Sequence, residues 1–218
     1  MGHQQTYARK NLLFIPKTSL MVFKRIILLV WLVAFVIACT RNDDQSDIEL
    51  GIERDQSFFV LNEGAFGQGN ASVCIMDAEK EELCGAFSMV NKVDLGDVLQ
   101  SASIIDEELF LIVNGSDIIW RVELPGFTTS DKITGLGSPR SILRVGTGKA
   151  YITDLTARKI NILDLGSNKV NGSIPFNGWS EEMILLNGKV WVTNPELFGG
   201  PVTEQLFIID PLTDAVVD

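Results

Sequence analysis

The most informative absence in this sequence is histidine. Its single histidine, His3, lies near the N terminus, so the chain after Cys39 contains none. That absence excludes the Ser-His-Asp and Cys-His catalytic arrangements from most of the chain. It also excludes every metal site there that depends on an imidazole ligand. We predict a protein that is not an enzyme and that carries no cofactor, and these exclusions agree with that prediction.

Acidic residues are missing from the first part of the chain and abundant in the rest. None of the 28 Asp and Glu residues, but five of the 18 Lys and Arg residues, precede Thr40. The remainder is left with 13 basic residues against 28 acidic ones. A body of this charge does not attract a phosphate backbone, because nucleic-acid binding depends on basic side chains that neutralise phosphates. We therefore expect no nucleic-acid partner.

The only long apolar run lies near the N terminus. After the basic start at Met21, residues 26–38 carry no charge. This run is shorter than the roughly 20 residues that a membrane-spanning helix needs, and its basic flank is typical of a secretory signal. It ends Val-Ile-Ala-Cys39, which resembles a bacterial lipobox and predicts that Cys39 is lipidated; the alternative is a plain signal peptide with an incidental cysteine. Residues 1–39 are thus the expected signal, with Met21 as the expected true start.

Four short strands of similar sequence indicate an internal repeat. Each ends in Asn or Asp, and the spacings between these polar residues are 52, 40 and 40. A repeat of about 40 residues that contains only short strands is typical of a β-propeller blade. The matching segments are Phe58–Asn62, Phe110–Asn114, Ala150–Asp154 and Val190–Asn194.

The repeat defines an all-β region, residues 57–218, behind an acidic tether at residues 40–56. Alternating apolar residues and turn pairs such as Asn187-Gly188 predict about four blades of up to four strands. In the first blade, Leu83–Val90 is the predicted outer strand, and no segment after the signal carries a helical period. We expect the chain to be part of a larger ring.

Several of these segments resemble the YncE-like propeller lipoproteins of Bacteroidota. The resemblance rests on Phe59–Gly64, Gly69–Val73, Gly137–Arg140 and Ala150–Asp154. It implies a seven-bladed ring, of which about four blades are present here, anchored by lipid at the outer membrane and facing the cell surface. Relatives of this class capture vitamin B12 and pass it to an outer-membrane transporter. The resemblance therefore implies a non-catalytic surface lipoprotein whose ligand is a corrinoid and whose partner is such a transporter.

The predicted binding site lies on one rim of the propeller. Loops that follow the second strand of each blade share this rim with loops that enter the next blade. They carry aromatic and polar side chains, as ligand sites do. The candidate ligand-binding residues are Asn62, Phe66, Asn70, Arg140, Trp179, Glu196 and Phe198. Packing between blades is an equally good interpretation of Trp179 and Phe198, whereas Phe110, Trp120, Tyr151 and Trp191 are expected in the core.

Two alternative functions stay open. Asn62, Asn114, Asp154 and Asn194 offer oxygen ligands for Ca²⁺, which a lactonase-like propeller enzyme would need. Turn formation by these strand-end residues is the preferred interpretation, so no metal site is predicted. The other alternative is a scaffold that docks an outer-membrane protein through its rim.

The cysteines of the body allow a disulfide without requiring one. Cys74 and Cys84 lie ten residues apart across a predicted hairpin. A turn at residues 78–81 would place Ile75 opposite Cys84, so pairing of the cysteines needs a shift of one residue. Two free thiols are therefore the favoured expectation.

Overall fold

The computed structural model describes residues 50, 52, 57–76, 82–196 and 202–217, with backbone alone for Glu196 and residues 202–204. The predicted signal, the lipidation site Cys39, nearly all of the acidic tether and Phe198 lie outside these residues. Within the described residues, no helix is long and apolar enough to cross a membrane.

Fifteen strands form four antiparallel sheets in the described part of the chain, and each sheet is a meander in chain order. Sheet 1 contains β1 Phe58–Asn62, β2 Ser72–Met76 and β3 Glu82–Cys84. Sheet 2 contains β4 Leu99–Ile105, β5 Glu108–Val113, β6 Ile118–Glu123 and β7 Thr128–Ile133. Sheet 3 contains β8 Pro139–Gly146, β9 Lys149–Asp154, β10 Lys159–Asp164 and β11 Lys169–Pro175. Sheet 4 contains β12 Met183–Leu186, β13 Lys189–Glu196, β14 Val202–Asp210 and β15 Ala215–Val216.

Consecutive sheets stack face to face around three hydrophobic cores. The first core joins sheets 1 and 2 through residues such as Val73 and Leu111. The second joins sheets 2 and 3, and the third joins sheets 3 and 4. Among the first strands of sheets 2, 3 and 4, β8 contacts both β4 and β12. This is the arrangement of propeller blades around an axis, as the repeat predicted.

The predicted outer strand Leu83–Val90 is wrong. Strand β3 ends at Cys84, Gly85 adopts a left-handed φ of 71°, and a short helix α1 follows at Ala86–Asn91. Phe87 of this helix is buried in the first core. The side chain of Asn91 accepts a hydrogen bond from the Thr129 N–H at 2.8 Å, which ties the helix to β7. Packing against sheets 1 and 2 thus outweighs the strand preference of this segment.

The alignment of the second blade is also wrong by one residue. Ala150 and Ile152 face back toward sheet 2, whereas Phe110 and Ile112 face forward toward sheet 3, in the same core. The Asn114 N–H donates to Val98 O as the Leu155 N–H donates to Ser138 O, both at 2.8 Å. Asn114 therefore corresponds to Leu155, and Val113 to Asp154. Strands that are apolar on both faces do not reveal from sequence which face is which.

The corrected alignment shows a repeated feature. One aromatic residue occupies the same position on the second strand of sheets 2, 3 and 4 and on β1, their counterpart in the three-stranded sheet 1, and it points away from the preceding sheet. These residues are Phe59, Phe110, Tyr151 and Trp191. Phe110 and Tyr151 are fully buried under the following sheet.

Cys74 and Cys84 form a disulfide, contrary to the favoured expectation of two free thiols. The hairpin between β2 and β3 pairs Met76 with Glu82, which places Cys74 directly opposite Cys84. Five residues, 77–81, therefore separate the strands, rather than the predicted four. The pairing of the cysteines depends on this one additional loop residue.

Candidate binding rim

The loops that were predicted to share one rim are joined by hydrogen bonds. Asp97, before β4, accepts hydrogen bonds from Gly67 N–H at 2.9 Å and Gly69 N–H at 3.4 Å, both in the loop after β1. Its own N–H donates to Ser116 Oγ at 2.9 Å, in the loop after β5. Loops of sheets 1 and 2 thus meet at Asp97.

The same network continues across sheets 3 and 4. Asn114 donates through Nδ2 to Ser138 Oγ at 2.7 Å. The Ser138 N–H donates to Asp154 Oδ1 at 3.0 Å, and the Asp154 N–H donates to Ser180 Oγ at 3.1 Å. The Trp179 N–H donates to Asn194 Oδ1 at 2.9 Å. The described rim is therefore a hydrogen-bonded surface that spans all four sheets.

The loop between β1 and β2, residues 63–71, presents an exposed aromatic side chain. The Ala65 N–H donates to Asn70 Oδ1 at 2.8 Å, and the Gln68 N–H donates to Ala65 O at 3.0 Å. Phe66 lies between these contacts and is 85% exposed. The backbone of this loop is held in place while the phenyl ring points into solvent. The loop therefore offers one exposed aromatic ring on a hydrogen-bonded backbone.

The strand-end acceptors are used within the fold. Asp154 accepts from Gly137 N–H at 2.8 Å through Oδ2 and from Ser138, Thr156 and Ala157 N–H groups through Oδ1. Its side chain is fully buried. The bonds from Thr156 and Ala157 confirm the predicted turn-forming role of Asp154. Asn114 instead binds the loop that enters the next blade, which sequence reasoning did not foresee.

Arg140 forms an ion pair beneath the rim. Its Nε donates to both carboxylate oxygens of Glu181 at 2.9 Å, and its Nη2 also contacts Oε1. Its Nη1 donates to Gln100 Oε1. The Arg140 side chain is only 18% exposed. The guanidinium therefore links the inner strands of sheets 2 and 3 to the residue that precedes sheet 4.

The other predicted site residues differ in their exposure and in their hydrogen bonds. Asn62 is exposed, and its Nδ2 donates to Ser72 Oγ at 3.3 Å and Cys74 Sγ at 3.2 Å. Asn70 is exposed and supports the loop of Phe66, while Trp179 is half-buried. Glu196 ends β13. The structure thus places Asn62, Phe66, Asn70 and Trp179 in loops or strand ends of one rim.

Sequence reasoning missed Asp97 as a rim residue, and it placed Ser138 on a rim loop without assigning it a role. The available signal was a glycine that recurs every 41 residues just before the first strand of a blade: Gly96, Gly137 and Gly178. Each glycine lies against a polar side chain, and at Gly178 an added Cβ would lie 2.7 Å from Asn194 Cγ. The residue that follows each glycine, such as Asp97 or Ser138, lies in the hydrogen-bonded network.

The rim carries negative charge. Burial and the nearby charge of Asp154 raise the pKa of Asp117 above its usual value. Cys74, Glu82 and Cys84 bring three residues of metal-binding types together on sheet 1. Both sulfur atoms belong to the disulfide, so they do not offer the thiolates that metal ions bind.

Solved structures share this fold at low sequence identity. Hydrazine synthase from Kuenenia stuttgartiensis is 14% identical with a TM-score of 0.58, and the match covers 75% of this chain and 45% of that chain. The Pan2 WD40 domain from Neurospora crassa is 10% identical with a TM-score of 0.56, covering 76% of this chain and 46% of that domain. U3-55K is 13% identical with a TM-score of 0.55, covering 75% and 48%.

This chain therefore spans about half the length of those structures. WD40 domains are β-propellers, so the likeness agrees with the stacked sheets: the chain is a partial β-propeller. No family model and no curated protein matches the sequence.

Proposed function

We propose that this partial β-propeller is a non-catalytic binding protein that captures a small ligand at the rim bearing Phe66. The observation that carries the proposal is the 85% exposure of Phe66 on a loop whose backbone is fixed by Asn70 and Asp97. A rigid loop loses little conformational entropy on binding, so the energy of a buried phenyl ring is retained as affinity. Large aromatic side chains supply much of the energy at binding sites.

A corrinoid is the ligand that we propose. The proposal rests on the resemblance to propellers that capture vitamin B12, and the rim chemistry is compatible with it. A broad macrocycle needs an apolar contact and polar groups at its edge, which Phe66 and the neighbouring Asn62 and Asn70 offer. Arg140 contributes through the shape of the rim rather than as a free cation, because Glu181 already binds its guanidinium.

We further propose that the protein is anchored to the outer membrane by lipid on Cys39 and faces the cell surface. The basic start, the short apolar run and Ala38 before the cysteine support this placement. Incorporation of labelled palmitate should be lost in Cys39→Ala. Labelling that persists in the variant, or a freely periplasmic protein without the substitution, would contradict the anchor.

Calorimetric titration of the full-length protein with cobalamin tests the ligand. We expect Phe66→Ala to weaken binding by roughly 2 kcal/mol, the usual cost of truncating a central aromatic contact. Asp97→Ala should also weaken binding, because it frees the loop without removing the ring. Leu212→Ala is the matched control, since Leu212 is 90% exposed in the turn between β14 and β15, away from the rim loops.

The outcomes separate the candidate functions. Cobalamin binding that is unchanged in Phe66→Ala would show that the ligand site does not lie on this rim. Absence of cobalamin binding would remove the corrinoid and favour the scaffold that docks a membrane protein, which the same exposed ring would serve. Membrane-protein capture that depends on Phe66 but not on Leu212 would then support docking.

A further inference from the structure

Sheet 4 has an apolar face on which no described sheet packs. Hydrogen-bonded register places Ile184, Trp191 and Ile208 side by side across three strands, on the face turned away from sheet 3. Ile184 is 59% exposed and Leu206, on the same face, is 56% exposed. Ile184, Trp191 and Leu206 line a cavity of about 220 Å³. An exposed apolar area of this kind usually marks a protein interface.

Trp191 identifies what this face is suited to contact. It holds the aromatic position that Phe110 holds in sheet 2 and Tyr151 holds in sheet 3. Both of those rings are fully buried by the next sheet along the chain. The ring of Phe59 in sheet 1 likewise packs 5.8 Å from the ring of Phe127. The exposed face of sheet 4 therefore repeats the interior interface between blades, without its covering sheet.

Sheet 1 exposes the opposite half of the same interface. Phe58 and Val60 point away from sheet 2, and Phe58 is 53% exposed. In the other three sheets, the residues at these two positions are at most 1% exposed and face the preceding sheet. Those residues are Leu109 and Leu111, Ala150 and Ile152, and Val190 and Val192.

We propose that a second copy of this chain covers both faces, with sheet 4 of each protomer packed on sheet 1 of its partner. Each copy carries the two halves of one interface, and the contact would continue the three sheet-on-sheet interfaces already present within the chain. A two-fold axis would make the two contacts identical and close the assembly. The result is a ring of eight sheets, within the range of known propellers.

Sedimentation of the full-length protein in detergent tests this arrangement. The unmodified protein should sediment at twice the mass of one chain. Ile184→Lys and Phe58→Lys should each give single chains, because every contact in the ring uses one face of each kind. Leu212→Lys, at an even more exposed apolar residue outside both faces, should leave the mass unchanged.

Mixing the two lysine variants distinguishes this contact from others. A mixed pair retains one unmodified interface, between sheet 4 of the Phe58 variant and sheet 1 of the Ile184 variant, so the double mass should partly return. Ile184→Ser and Phe58→Ser provide milder changes if either lysine variant fails to fold by circular dichroism.

Three results would overturn the proposal. The first is an unmodified protein that stays a single chain at every concentration. The second is a dimer that Phe58 variants do not disturb, which would show sheet 4 packing on sheet 4. The third is an assembly of more than two copies, which would show that the contact does not close.

Discussion

Arg140 and Glu181 form a multiply bonded ion pair that joins the inner edge of sheet 3 to the start of sheet 4. Nε of Arg140 lies 2.9 Å from each oxygen of the Glu181 carboxylate. Gln100 holds the corresponding position on β4, the first strand of sheet 2. Its Oε1 accepts a hydrogen bond from the same guanidinium. These three residues recur at spacings of 40 and 41. One repeat position therefore links three consecutive blades.

Arg140→Met should destabilise the fold more than it alters ligand recognition. Removing the guanidinium leaves Glu181 without its partner in a site where both side chains are about one-fifth exposed. We expect a loss of about 1–3 kcal/mol in the free energy of unfolding, measured with urea. Arg144→Met is the control, because its pair with Asp106 is exposed and should contribute less than about 1 kcal/mol. Full stability of Arg140→Met, together with lost ligand binding, would instead identify Arg140 as a ligand contact.

Gly178→Ala should destabilise the protein by about 1–3 kcal/mol, as overpacking of a buried position does. A methyl group at Gly178 would lie 2.7 Å from Asn194 Cγ and closer still to Oδ1, the acceptor for the Trp179 N–H. Gly146→Ala is the matched control, since no atom lies within 4 Å of its added Cβ. Thermal melting compares the two variants. Equal melting temperatures would show that the Asn194 side chain moves to accommodate the added methyl group at little cost in stability.

The disulfide should contribute to stability through the short loop that it closes. The chain-entropy model gives about 2–3 kcal/mol for a sequence separation of 10. The double variant Cys74→Ala, Cys84→Ala should therefore unfold at lower urea concentration than the unmodified protein. Reductant should lower the stability of the unmodified protein and leave the variant unaffected. Alkylation of both cysteines in unreduced, denatured protein would show that the bridge does not form.

Asp117→Asn should stabilise the protein at neutral pH. Burial and the charge of Asp154 raise the pKa of Asp117 in the folded state above its usual value of 3.8. The ionised carboxyl thus opposes folding at neutral pH, and this cost disappears as pH falls through the raised pKa. The gain in melting temperature should be present at pH 7 and vanish below pH 3.8.

Asp131→Asn should have the opposite effect and destabilise the protein at neutral pH. A hydrogen bond from Asn168, together with the Lys132 N–H, lowers the pKa of Asp131. Its charge therefore favours folding above pH 3.8, and the variant should lose melting temperature at pH 7. This loss should disappear as pH falls through the lowered pKa. Effects of equal sign in both aspartate variants would contradict the assigned causes.

The arrangement of the rim was partly predictable. Loops after each second strand and loops before each first strand meet there because a four-stranded meander returns the chain to the same side of the sheet. Phe66 was therefore correctly placed on a rim loop. The pairing of Arg140 with Glu181 was not predictable, since the repeat places the two residues at equivalent positions without showing that their side chains meet.

Most of the strands, the turns and the four repeats of this protein could be predicted from the sequence. These are local properties: alternation along a strand has a period of two, and Asn187-Gly188 adopts the positive φ angles that a two-residue hairpin needs. Three features emerge only in the folded structure: the one-residue shift of sheet 2, the pairing of Cys74 with Cys84 and the helix at Ala86–Asn91. The shift depends on packing between two neighbouring sheets, because strands that are apolar on both faces do not specify which neighbour each face meets. The disulfide depends on the register of the hairpin between β2 and β3, and the helix depends on the burial of Phe87 in the first core.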